Sequence, residues 1–133
     1  MTPHERRSQA VAGDKVSPPG ARNACIEACL ESLRASEECC AACLATADMM
    51  EIMNECARRT RDCADVCSLC ARTMARGSDL IVAVCALCAA ACERCAEECQ
   101  RYEHQPCRDC AAACLRSAEA CRRMVAEPAA AAR

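Results

Sequence analysis

The sequence predicts an all-α protein: an antiparallel up-down-up-down four-helix bundle with a core lined by cysteine. Three observations predict it. Cysteine and apolar residues recur at gaps of three and four along four long segments, the spacing that keeps side chains on one face of an α-helix. Capping and stop residues divide these segments with only short connections between them, which favours antiparallel neighbours. No segment carries the alternating pattern of a strand.

Residues 1–20 are polar, contain Gly13, Pro18, Pro19 and Gly20, and read as a disordered or loosely docked tail. The bundle is expected over residues 21–127 and a C-terminal tail over 128–133. A first helix is expected from about Arg22 to Thr46, with Asn23 as N-cap. Its inward stripe runs through Cys25, Cys29, Ser32, Ser36, Cys39 with Cys40, and Cys43. Asp48, followed three residues on by Glu51, resembles a capping box and opens a second helix running to about Arg76. Its stripe is Met49, Met53, Cys56, Thr60, Cys63, Cys67, Cys70 and Met74. Gly77 suits the left-handed stop at its C-terminus. Ser78 and Asp79 offer a cap for a third helix, running to about Tyr102. There Cys85, Cys88, Cys92, Cys95 and Cys99 follow one another at gaps of 3, 4, 3 and 4. Its segment LIVAVCALCAAAC is apolar almost all round, so this helix is expected to be the most buried. Pro106 fits the first turn of a fourth helix with the stripe Cys107, Cys110, Cys114, Ser117, Cys121 and Met124.

The composition narrows the function. A chain of 133 residues makes one domain, and with one Tyr and no Phe or Trp its interior must be filled by Ala, Leu, Met and Cys. A net charge of −2 offers no field to attract nucleic acid or an anionic membrane. No stretch reaches membrane-spanning length free of charge. No Ser/His/Asp constellation is visible, and a single His outside the tail is too few for a convincing Cys/His hydrolase, so an enzyme is not expected. The N-terminus carries no apolar run of signal length, which points to the cytoplasm. Thiols stay reduced there, and cysteine-rich patterns more often mean metal.

The 18 cysteines therefore need a reason. Any one of them could fill a core as a small hydrophobe. On four converging stripes that reading weakens, because Leu would bury more apolar area without risk of oxidation. Ser32, Ser36, Thr60 and Ser117 on the same stripes also argue against a core built for burial. Disulfides fit poorly, since cysteines three or four apart on one helix do not meet disulfide geometry. Metal remains, and thiolates select Cu(I), Zn(II) or iron–sulfur clusters. The compact loop motifs of iron–sulfur proteins are missing. Each Cu(I) replaces one thiol proton, so a core loaded near one copper per thiolate stays neutral. Zn(II) held by four thiolates keeps two negative charges, and several such sites buried together would be expensive. Pairs such as Cys25/Cys29, Cys39/Cys43, Cys63/Cys67, Cys88/Cys92, Cys95/Cys99 and Cys110/Cys114 have the spacing for linear Cu(I).

Three stretches, CADVCSLCARTMARGS (63–78), CALCAAACERCAEEC (85–99) and HQPCRDCAAAC (104–114), resemble the four-helix-bundle copper storage proteins of bacteria. The resemblance covers about residues 22–126 and is to the cytosolic branch without an export signal. It implies a bundle filled with Cu(I) bound by inward-facing cysteines, all 18 of those named above being candidate ligands, and assembly as a homotetramer.

The two ends of the bundle differ. Up-down connectivity puts Met49, Met50, Met53, Cys99, Tyr102, His104 and Cys107 at one end, and Met74, Leu80, Ile81, Val84, Met124 and Val125 at the other. Neutral thioether and imidazole should release Cu(I) more easily than a thiolate cluster does. The first end is thus expected to be the mouth, with Met49, Met53 and His104 as candidate ligands, and the second an apolar plug. The competing readings are that these Met fill core space, as is favoured for Met50, and that His104 is a solvated turn residue. Four functions remain in order: a Cu(I) reservoir, a metallothionein-like Zn/Cd buffer, a copper chaperone, and a redox enzyme.

Overall fold

A computed structural model describes residues 19–127. It contains five helices: α1 (Pro19–Cys43), α2 (Ala47–Ile52), α3 (Asn54–Ala75), α4 (Ile81–Cys99) and α5 (Gln105–Ala126). No strand occurs among the described residues. The expected tails lie outside the described residues, except that Pro19 and Gly20 already belong to α1. That start is physically natural, because a proline's fixed φ and missing N–H suit the first helical turn. Asn23 is consequently inside the helix and not its cap.

Four long helices form a ring in which α1 packs on α3 and α5, and α4 packs on the same two. This is the expected bundle, with α1 diagonally opposite α4. The short α2 crosses one end. It divides the helix expected from Asp48 to Arg76, because Met53 adopts φ −110° and ψ 24°. Hydrogen bonds still bridge the bend: Met53 N–H donates to the Met49 carbonyl at 2.8 Å, and Ala57 N–H to the Met53 carbonyl at 3.0 Å. The bend turns the chain over the end of the bundle and drives Met53 into the core. Thr46, not Asp48, caps α2, its hydroxyl accepting from Met49 N–H at 3.1 Å.

At the other end Gly77 has φ 65°, the left-handed stop expected of it. The Ser78 hydroxyl accepts from Leu80 N–H at 3.1 Å, and α4 begins one residue later. Pro106 sits in the first turn of α5. α4 is not buried all round, since Ala83 faces solvent and Leu87 is 52% exposed. A ring of four gives each helix one inward face and two flanks, which leaves its back open to solvent.

The core this creates is made of sulfur. All 18 cysteines are buried, 17 of them completely, and only Cys40 keeps 8% exposure. Larger apolar side chains are sparse inside: Met74, Ile81 and Met124 cluster at the Gly77 end and Met53 at the α2 end. Ion pairs such as Arg122–Glu93 and Arg116–Glu31 join neighbouring helices on the surface, where each is worth less than about 1 kcal/mol.

Candidate metal centre

Each cysteine points inward because its stripe does, and the antiparallel ring brings the four stripes to one axis. Starting under α2, Cys39, Cys43, Cys56 and Cys107 form a group whose sulfurs all lie within 4.8 Å of one another. Cys39 Sγ is 3.7 Å from Cys56 Sγ and 3.6 Å from Cys107 Sγ. Cys99 follows at 3.6 Å from Cys56, then Cys95, Cys110 and Cys114 with spacings of 3.8–3.9 Å. In the middle, Cys63 lies 3.5 Å from Cys114 and 3.6 Å from Cys92, and Cys67 is 3.5 Å from Cys92. A second group of four, Cys29, Cys70, Cys88 and Cys121, comes next, and Cys25, Cys85 and Cys121 form a trio beyond it. The thiols thus make one continuous column from end to end. Cys40 stands aside from its helix's stripe, its thiol donating to the Ala57 carbonyl at 3.9 Å.

Of the expected i,i+4 pairs, Cys63/Cys67 and Cys110/Cys114 stand 3.8 Å apart, and Cys88/Cys92 and Cys95/Cys99 stand 3.9 Å apart. Contacts between helices are equally short, so groups of three and four thiols form across the axis. Taking the ~2.3 Å of a zinc–thiolate bond as a guide, sulfurs sharing one ion stand about 4.0 Å apart in trigonal and about 4.6 Å in linear coordination. Both values fall within the spread of the column, whose closest contacts are 3.5 Å and whose groups extend to 4.8 Å. All 18 cysteines are free thiols.

The hydroxyls on the stripes divide by role. Ser32 Oγ touches four sulfurs, those of Cys114 and Cys67 at 3.4 Å, Cys63 at 3.6 Å and Cys92 at 3.8 Å. Ser36 contacts Cys110, and Ser117 contacts Cys29 and Cys92, at 3.5–3.6 Å. Thr60 instead turns its hydroxyl back to the Cys56 carbonyl at 2.9 Å. The polar stripe positions on α1 and α5 therefore hydrogen-bond the thiols, whereas that on α3 serves its own backbone.

Proton sharing governs the electrostatics of the column. Beneath α2, hydrogen bonds from Cys39 and then Cys99 hold Cys56 down to about 3, against the opposing effect of burial. Burial foremost, then a hydrogen bond with Cys56, pushes Cys43 up to about 12. Cys107 is pushed up to about 11 by burial and then by the Cys56 charge. The same alternation runs inward: Cys63 is lowered, chiefly by Cys114, while Cys95 is raised, chiefly by Cys110. A thiolate surrounded by thiol donors is stabilised, but each one formed suppresses ionisation of the next. Only cations taking the place of the protons can ionise the whole column, and buried soft sulfur favours soft monovalent ions for that task.

The expected mouth residues are placed differently from one another. Met53 is buried in the core, and Met49 is half-buried against it. His104 is exposed, and its backbone carbonyl holds the first turn of α5 by accepting from Cys107 N–H at 3.0 Å. Tyr102 anchors this end, donating to Glu98 Oε1 at 3.1 Å. Burial, followed by Glu98, pushes the Tyr102 phenol up to about 12, so it remains a donor. At the other end Ile81 is buried as expected of a plug, but Leu80 is exposed. Met74 does more than plug, because the Cys85 thiol reaches its Sδ at 3.9 Å. The sequence signal for that contact was Met74's place on the α3 stripe.

The sequence profile of the copper storage proteins matches residues 20–126. An uncharacterised cysteine-rich protein of Bacillus subtilis is 41% identical over 85 residues, covering 64% of this chain and 78% of its own length. Among solved structures, a Cu(I)-bound copper storage protein of Bacillus subtilis aligns at 39% identity with a TM-score of 0.75, covering 79% of this chain and 98% of that one. A copper storage protein of Streptomyces lividans loaded with 10 copper equivalents aligns at 33% identity with a TM-score of 0.79, covering 86% of this chain and 92% of that one.

Proposed function

Because the chain belongs to the copper storage protein family, we propose that it is a cytoplasmic reservoir that fills its bundle with Cu(I) held by the core thiolates. The observation that carries this reading is the unbroken column of buried thiols, whose groups of three and four lie within 4.8 Å. All 18 cysteines are the proposed ligands, with Ser32, Ser36 and Ser117 donating to thiolates once those lose their protons. Storage needs no catalytic step, and proton release on binding makes retention weaker at lower pH. No helix among the described residues is long and apolar enough to cross a membrane. The cytoplasmic assignment draws on a cytosolic copper storage protein of Streptomyces lividans among the structural relatives. Competitive anaerobic titration with Cu(I) and Zn(II) tests the function. Preference for Zn(II) would replace the reservoir with a metallothionein-like buffer.

The α2 end is the proposed mouth. A mobile Cu(I) meets the thioethers of Met49 and Met53 and the imidazole of His104 before the Cys43/Cys107 group. Replacing all three with Ala or Leu should slow both loading and chelator-driven removal while leaving capacity nearly unchanged. Stopped-flow uptake from a coloured Cu(I) chelate measures the rates. Unchanged rates in this variant, with slowing instead after changes at Ile81 and Val125, would place the entrance at the other end.

The bundle is also proposed to assemble as a homotetramer. Its back carries Leu87 with the half-buried Val66, Ala90 and Ala91 in a shallow groove between α3 and α4, and Leu69 and Leu80 are exposed nearby in sequence. Arg59, Asp62, Asp65 and Arg94 line the same groove, and a mixture of apolar and charged groups is the composition of an interface between separately folded copies. Light scattering at micromolar concentration should report an oligomer, and a monomer there refutes it.

A further inference from the structure

We propose that Met74 is a copper ligand, its thioether joining the thiolates of Cys70 and Cys85 to close the sulfur column at the end opposite α2. This rests on the reservoir reading and assigns a site within it. Met74 is completely buried, and its Sδ lies 3.9 Å from Cys85 Sγ, within the range of the thiol–thiol contacts. Cys85 Sγ is in turn 3.7 Å from Cys70 Sγ. Met74 follows Cys70 by one helical turn on α3, as Cys67 follows Cys63, so a thioether stands where the stripe would put its next thiol.

Charge explains why a neutral donor belongs there. A Cu(I) ion entering this site displaces the protons of Cys70 and Cys85, giving a unit with one net negative charge. A third thiolate in place of the thioether would leave two. In the middle of the column such excess charge is shared with further copper ions on both sides. The end has ions on one side only, and on the other it meets buried Ile81 and Met124. An uncompensated charge against that apolar layer is costly, and a thioether supplies a soft third donor without adding one. A residue needed only to fill space could be Leu.

Selenium absorption spectroscopy tests this directly. The probe is selenomethionine-labelled full-length protein in which Met49, Met50, Met53 and Met124 are replaced by Leu, titrated to its endpoint with Cu(I). Selenium–copper scattering at bonding distance should appear on loading and be missing from the metal-free sample. A second pair keeps the test decisive if that variant folds poorly: labelled native protein against labelled Met74→Leu, where the selenium–copper amplitude should fall. Full copper uptake with selenium seeing only its own carbons, or with amplitude unchanged by Met74→Leu, overturns the assignment and leaves the reservoir standing. Failure to take up copper beyond a few ions overturns both.

Discussion

Anaerobic titration of the reduced protein is expected to reach an endpoint well above about ten Cu(I) per chain, because neutralising 18 buried thiolates takes close to one monovalent ion for each. The geometry allows such density. Apart from Cys43, which joins its group within 4.8 Å, every thiol in the column has a sulfur neighbour at 3.5–4.0 Å, so one thiolate can bridge two ions, as Cys121 would between the Cys29/Cys70/Cys88 group and the Cys25/Cys85 pair. Zn(II) should fill only a few sites, since each four-thiolate zinc adds two uncompensated negative charges to an interior without cations. A Cu(I) endpoint near about four or five would mean isolated sites of about four cysteines each, and would sink the bridged column.

Heating is expected to separate the loaded and metal-free proteins by more than about 20 °C. Metal-free, reduced protein should already be helical, because its long helices carry Ala-rich stripes, the Thr46 cap and the Gly77 stop. Its core holds few large apolar side chains, so its margin should be that of an ordinary domain, about 5–15 kcal/mol, or less. A ligand at about a hundred times its dissociation constant adds about 2.7 kcal/mol per independent site. Several filled sites together exceed that whole margin, and each kcal/mol raises the midpoint by at least about 2 °C. Circular dichroism with a thermal ramp measures both states. A coil spectrum without metal, or coincident melts, contradicts the expectation.

Much of this was legible in the residues because it is local. A helix advances 3.6 residues per turn, so gaps of three and four from Cys85 to Cys99 commit all five thiols to one face wherever that helix lies. The stripes, the Gly77 stop and the Pro106 start follow from the same short-range geometry, and with short connections they determine the antiparallel ring. The excess of thiols over any packing need determined soft-metal chemistry, and charge selected Cu(I).

What only the tertiary structure decided depends on how far one helix slides past another, which no local pattern records. That stagger puts Cys114 3.5 Å from Cys63, gathers Cys29 with Cys70, Cys88 and Cys121, and sets Ser32 among four sulfurs. It also brings Met74 to Cys85 across the gap from α3 to α4, turning an expected plug residue into a sulfur contact. The bend at Met53 belongs to the same class. Residues 49, 53 and 56 continue a helical stripe without interruption, but the chain must cross the bundle end, and burying Met53 there outweighs keeping the helix straight.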